Sequence, residues 1–218
     1  MERVLRVYAR LLDPAYPVVC FDEGRKEFRG EVRAPWPMAP GRPAREDCEY
    51  SRHGSASLLL WTAPLLGVRQ ITVTERRTSQ DWARAMQALV DDSRFAAAIR
   101  ITVVLDNLNT HTLSALYETF PPSEALRIAE KLELVYTPKH GSWLNIAEIE
   151  LAALGQQCLD RRIADQATLT TEVAAWEADR NAATVGVDWQ YTAADARTNL
   201  KRLYPVQEVA SNMSNGDA

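Results

Sequence analysis

The chain has 218 residues, 46% of them hydrophobic and 25% charged, the balance of an ordinary soluble globular protein with enough length for one well-cored domain. No apolar run approaches the roughly 18–20 residues of a membrane span, and the N-terminus carries no signal-like segment. The net charge of −4 argues against one broad DNA-binding face: either nucleic acid is not the partner, or the main DNA-binding module lies outside this chain.

Residues 1–13 carry a short amphipathic pattern, punctuated by Pro14 and Pro17. Val18 to Phe21 is a β-rich apolar run, and it is expected to end at Asp22-Glu23-Gly24, two acids and a glycine at a strand end. Residues 25–53 read as a long irregular loop, because Pro35, Pro37, Pro40 and Pro43 remove donors and fix the backbone. Its Arg25, Lys26, Arg29, Arg33, Arg42 and Arg45 make it the most basic part of the chain, either an arm for phosphate or a partner, or a solvated loop. Cys20, Cys48 and Cys158 match no zinc spacing and read as thiols in a reducing cytoplasm.

Ser57–Thr62 and Val68–Thr74 read as a hairpin of two strands. A helix follows over 80–90 with Trp82, Ala85, Met86, Leu89 and Val90 on one face. Ile101–Leu105 is a β-branched run of the kind buried on both sides in a parallel sheet, and Asp106 stands one residue past it. Helices over 113–120 and 123–131 precede a strand over Leu132–Tyr136, and a helix is expected from Leu144 to about Leu159. A further helix spans 167–180. Thr192 with Asp195 caps another that reaches Leu203. Strands early in hairpin order, then alternating with helices, predict an α/β domain with a mixed sheet. Ligands of such sheets bind beyond strand carboxyl ends.

Helical geometry singles out one acid of the third loop. With Glu148 at zero, Leu144 falls at about −40°, Leu151 at about −60°, Gly155 at about −20° and Leu159 at about +20°. Glu148 is therefore expected in the apolar stripe, and Glu150, at about 200°, on the opposite face. A carboxylate facing a core must be paired, protonated or bound to metal. A central charged pair is one account; joined with Asp22 and Asp106, a metal site is the other. Three carboxylates suit a hard cation such as Mg²⁺ or Mn²⁺, and two such ions can drive an in-line phosphodiester displacement. Glu23 alternates to the other side of its strand and is not a ligand.

Four stretches carry a resemblance: 18–23 (VVCFDE), 105–111 (LDNLNTH), 137–148 (TPKHGSWLNIAE), and 191–197 (YTAADAR) leading to Leu203-Tyr204-Pro205. With them the chain, from about Pro17 to Pro205, resembles the catalytic domain of DDE transposases of the IS630/Tc1-mariner superfamily. The resemblance implies an RNase H-like fold: a mixed five-stranded sheet with helices on both faces, filling residues 1–205 around the 25–53 insertion, with 206–218 a disordered tail. It implies Asp22, Asp106 and Glu148 as catalytic metal ligands for two Mg²⁺ or Mn²⁺ ions, and cleavage and strand transfer at transposon ends. Asn107, His111 and Asn145 are expected to support the site. Arg25, Lys26, Arg42, Arg45, Lys139 and His140 are expected to meet DNA. The Asp106–Glu148 interval is longer than the commonest one in the superfamily, the excess being absorbed by the helix over 121–131. Members carry an N-terminal helix-turn-helix region for which this chain begins too late, so a separate DNA-binding part is the expected partner, beside DNA itself and a second copy. The expected setting is cytoplasmic and nucleoid-associated, with no membrane. A nuclease without strand transfer, or an inactive fragment acting through interactions, are the alternatives.

Overall fold

The computed structural model describes residues 1–45 and 47–204. Five strands form one mixed sheet: β1 (Val18–Glu31), β2 (Tyr50–Ala63), β3 (Val68–Thr74), β4 (Ile101–Leu105) and β5 (Leu132–Tyr136), in the order β3-β2-β1-β4-β5. β1 pairs antiparallel with β2, in a register that sets Asp22 opposite Leu60. On its other side β1 runs parallel to β4, with Val18 opposite Thr102, and β4 runs parallel to β5. All five residues of β4 are buried, as the apolar run implied, because helices cover both faces.

On one face lie α2 (Ser79–Asp91), α3 (Leu113–Thr119) and α4 (Pro122–Lys131). Trp82, Met86 and Leu89 of α2 form a single core with Phe21, Trp61, Val103 and Leu105 of the sheet, so the expected apolar face is the buried one. Thr78 and Asp81 cap α2 reciprocally. On the other face are α1 (Glu2–Tyr8), α5 (Ala147–Gln157) and α7 (Ala193–Asn199). Their core joins Val4, Leu5, Ala147 and Ala196 to Cys20, Leu60, Val104 and Val135. The Thr192–Asp195 capping box starts α7 as expected. The helix α6 (Gln166–Ala182) seats Leu169 and Val173, with Leu154 of α5, against Phe28, Ala56 and Leu58 at the far half of the β1–β2 pair.

The structure corrects several boundaries. β1 does not stop at Asp22 but runs on for nine residues, because a 14-residue partner, β2, satisfies its backbone as far as Glu31. The expected 25–53 loop therefore shrinks to 32–49, where the prolines cluster. The helix expected from Leu144 begins only at Ala147, after a 3-10 turn over Ser142–Leu144, and ends at Gln157. The last helix stops at Asn199 and is followed by a 3-10 turn over Lys201–Leu203. Pro205 and the expected tail over 206–218 lie outside the described residues.

Candidate active site

Asp22 and Asp106 stand on the adjacent parallel strands β1 and β4, Asp22 inside its strand and Asp106 directly after its own. Asp22 Oδ1 accepts from the Glu23 N–H at 2.8 Å. Burial first, and then the neighbouring Asp106, Glu148 and Glu23 carboxylates, push Asp22 up to about 6, against the downward pull of the Glu23 N–H. Glu148, on the first turn of α5, is thus close enough to Asp22 to repel it. Among the described residues neither Asp22 nor Glu148 has an ion-pair partner, and Asp106 is paired only with His111. Hard oxygen donors brought together with no compensating cation but His111 among the described residues fit a hard divalent cation. No group of three or more His, Cys, Asp or Glu among the described residues forms a ready-made metal cluster.

The raised value makes a stability prediction. The unfolded chain releases this proton near the ordinary 3.8 and the folded chain near 6. The folded state therefore binds more protons between those limits, and stability falls as pH rises through them. In metal-free buffer Asp22→Asn should melt a few degrees above the native chain at pH 7, roughly 2–4 °C per kcal/mol relieved. The difference should vanish below about pH 4, where both side chains are neutral. Equal melting temperatures at pH 7 would mean that Asp22 feels no such repulsion.

His111 is fully buried between the edge of Phe21 and the face of Trp82. Its Nδ1 lies 2.6 Å from Asp106 Oδ1, and its Nε2 is 3.1 Å from Glu23 Oε1. Burial alone would lower the imidazolium pKa, but the Asp106 and Glu23 carboxylates outweigh it and raise the value to about 9. His111 thus sits at ion-pair distance from Asp106, although the contact is not aligned as a hydrogen bond, and Tyr136 Oη donates to the His111 carbonyl at 2.7 Å, tying the Asp106 loop to β5. Glu23, on the other side of β1 from Asp22, is the residue that sequence reasoning passed over: it anchors His111 and lies 3.6 Å from Arg77.

Asn145 is buried. Its Nδ2 donates to the Phe21 carbonyl at 2.8 Å, and its Oδ1 accepts from the Ala147 N–H. It fastens the start of α5 to β1 beside Asp22. Asn107, Lys139 and His140 are exposed and line, with Asp106, Leu108 and Ser142, a cleft of about 420 Å³. His140 holds φ 60°, a left-handed conformation that costs a non-glycine residue strain. The other basic residues do not join this cleft. Arg25 bonds the Ser55 hydroxyl across the hairpin, and Lys26 Nζ donates to the Leu159 and Arg161 carbonyls beyond α5. Arg42 and Arg45 belong to the 32–49 loop, where Arg45 exchanges backbone hydrogen bonds with Trp36. That loop leaves β1 nine residues past Asp22, up to about 30 Å of strand away.

The expected orientation of the two acids of α5 is reversed. Glu150 is the fully buried one and Glu148 is exposed. The apolar stripe had been drawn through Leu144, Leu151, Gly155 and Leu159, of which the first and last lie outside the helix and the other two are only half-buried; within α5 the buried positions are Ala147, Glu150 and Leu154. Glu150 is paired with Arg69 of β3 at 3.0 Å and Arg180 of α6 at 2.8 Å. The buried charged pair that geometry required thus exists, two residues from the predicted one. Glu148 stays by Asp22 because it stands at the edge of the helix, near Leu151, whose Cδ2 rests against Gly24 of β1.

Solved structures of the same shape include the Mos1 mariner paired end complex with Mn, at TM-score 0.57 and 18% identity over 84% of this chain and 55% of that one. A pre-cleavage Mos1 transpososome aligns at TM-score 0.54 and 16% identity, over 87% and 61%. The Mos1 Strand Transfer Complex aligns at 0.52 and 18%, over 87% and 60%. The chain thus spans 55–61% of the length of these structures, and at such identities the likeness carries the fold, which is RNase H-like as expected. No curated protein sequence matches the chain. Residues 17–170 match the family described as DDE superfamily endonuclease, a match over well more than half of the chain, and the protein belongs to that family.

Proposed function

We propose that this chain is the catalytic part of a transposase, with Asp22, Asp106 and Glu148 holding two Mg²⁺ or Mn²⁺ ions. The observation that carries the reading is that Asp106 and Glu148 both lie near enough to Asp22 to raise it, with no compensating cation other than His111 among the described residues. The structural relatives include Mos1 paired end complexes with Mn and with Mg, one with the left transposon end, and a Strand Transfer Complex. Bound divalent ions would polarise the attacking oxygen and stabilise the leaving one in an in-line displacement. The chain's own contribution is positioning. His111 pairs with Asp106, Asn145 holds the start of α5 on β1, and Lys139 and His140 offer cationic and donor groups to a backbone phosphate in the adjoining cleft. Water attacks the phosphorus at the transposon end, the P–O3′ bond breaks, and a free 3′-hydroxyl remains. That hydroxyl then attacks a target phosphodiester, forming a new bond to phosphorus as the target's own P–O3′ bond breaks and its 3′-oxygen leaves as a hydroxyl.

Incubation with Mg²⁺ and duplexes ending in the inverted repeats that flank the gene, with a helix-turn-helix part supplied if the gene's neighbour encodes one, tests this reading. Nicked ends and end–target joined strands are the expected products. Nicks without joined strands would support a nuclease instead, and no cleavage with either metal would support a fragment acting through interactions.

A second copy is the proposed partner beside DNA. The exposed Trp36 and Met38 of the 32–49 loop would supply the contact surface. Deleting 34–45 should then halve the particle mass in light scattering; an unchanged mass would remove this loop from the interface.

A further inference from the structure

The buried cluster around Glu150 is charged where an apolar one would be cheaper to build. Glu150 and Arg69 are both fully buried. Arg180 forks onto both Glu150 oxygens, at 2.8 Å and 3.1 Å. Arg69 Nε approaches the same carboxylate at 3.0 Å, although its N–H is not aimed along a hydrogen bond. Asn181 of α6 closes the group, accepting from the Arg69 backbone N–H and donating to the Arg69 carbonyl, both at 2.9 Å. Desolvating such a group commonly costs more than its attraction returns, so its benefit is sought in specifying one arrangement over others.

The arrangement at stake is the roll of α5. The helix is held to β1 at two points: Asn145 on the Phe21 carbonyl, and Leu151 on Gly24, where an added Cβ would meet Leu151 Cδ2 at 3.1 Å. These points bracket Asp22 along the strand, but both lie on one line and leave rotation about the helix axis soft. The remaining inward residues resist rotation poorly. Ala147 is small, Leu154 is apolar and adaptable, and Gly155 faces open space. A helix with side chains has a radius of about 5–6 Å, so a roll of about 20° carries a carboxylate at its rim through about 2 Å. A functional constellation tolerates about 0.5 Å. The two-pronged Arg180–Glu150 contact is directional and cannot follow such a roll.

We infer that the Arg69–Glu150–Arg180 cluster is a positioning device which fixes the rotation of α5 and so aims Glu148, two residues earlier, at Asp22 and Asp106. The inference rests on the proposed metal-binding role of Glu148. It makes Glu150, Arg69 and Arg180 positioning residues, not ligands.

The test compares Mn²⁺ affinity, read by electron paramagnetic resonance on the full chain, in three variants. The first replaces the cluster with apolar groups of similar size: Arg69→Met, Glu150→Leu and Arg180→Met together. Folding is checked by circular dichroism and melting. Buried ion triads replaced in this way can leave a protein folded, so a purely structural cluster would leave Mn²⁺ affinity unchanged. The expected result is a folded protein whose Mn²⁺ affinity is at least about 10-fold weaker, the range seen when groups supporting metal ligands are lost. A folded triple variant with native affinity would overturn the inference. The second variant, Arg180→Lys, keeps the charge but loses the fork, and covers the case in which the first does not fold. It should weaken affinity severalfold with little change in melting, and native affinity in it would equally overturn the inference. The third, Glu148→Gln, is the control. If it binds Mn²⁺ like the native chain, the functional reading fails; if it loses binding while the other two keep theirs, only the positioning role fails.

Discussion

Glu148→Gln, Asp22→Asn and Asp106→Asn should each reduce metal-dependent cleavage by about 10³-fold or more, equivalent to about 4 kcal/mol of barrier. Each replacement keeps the shape of the side chain and removes the negative charge that would bind a hard cation. The Glu148 variant is the most informative because its side chain is exposed and makes no ion pair among the described residues. Surface changes of this kind usually alter stability by no more than about 0.5 kcal/mol. Its melting temperature should therefore match the native one while cleavage is lost, which separates chemistry from folding. Cleavage by Glu148→Gln at the native rate, measured on end-labelled duplex in gels, would remove Glu148 from the site.

Loss of Glu150 should have the opposite signature. Glu150→Ala leaves Arg69 buried among β3, α5 and α6 with its carboxylate partner gone, and leaves Arg180 without its fork. Breaking a buried ion pair from one side costs about 3–5 kcal/mol, a large share of the about 5–15 kcal/mol that holds a typical domain together. At roughly 2–4 °C per kcal/mol for a chain of this size, the melting temperature should fall by about 10 °C or more. Arg180 is partly exposed, with 16% of its side chain accessible, and can turn to water, so Arg69 carries most of the penalty. A shift below about 2 °C in a calorimetric scan would mean that the cluster relaxes freely and contributes little to the fold.

These two acids also mark the limit of what sequence alone conveyed. The strand β4 and its trailing Asp106 were legible because a continuous β-branched run closed by an acid has few other readings, and β5 and the Thr192–Asp195 capping box were legible for similarly local reasons. Asp22 was proposed for a partly mistaken reason. Its strand does not end there, since continuation to Glu31 depends on pairing with β2. The face of α5 was misread because, of the four residues taken to mark it, Leu144 and Leu159 lie outside the helix and Leu151 and Gly155 are only half-buried. Glu148 was singled out first by that helical argument and then by the resemblance to a family, and only the second ground survives the reversal. No local signal connects Glu150 to Arg69 or Arg180, which come from elements far apart in the chain and meet only when α5 and α6 pack beside β3. The Glu23–His111–Asp106 chain was half visible: His111 was tied to the Asp106 loop, but its second carboxylate comes from β1 across the sheet.

Anomalous diffraction from crystals soaked in Mn²⁺ tests the central assignment most directly. The account predicts a Mn²⁺ peak bounded by the carboxylates of Asp22, Asp106 and Glu148, absent from crystals of Glu148→Gln. A Mn²⁺ peak elsewhere, or one that leaves Glu148 uninvolved while the native chain still cuts DNA, would contradict it.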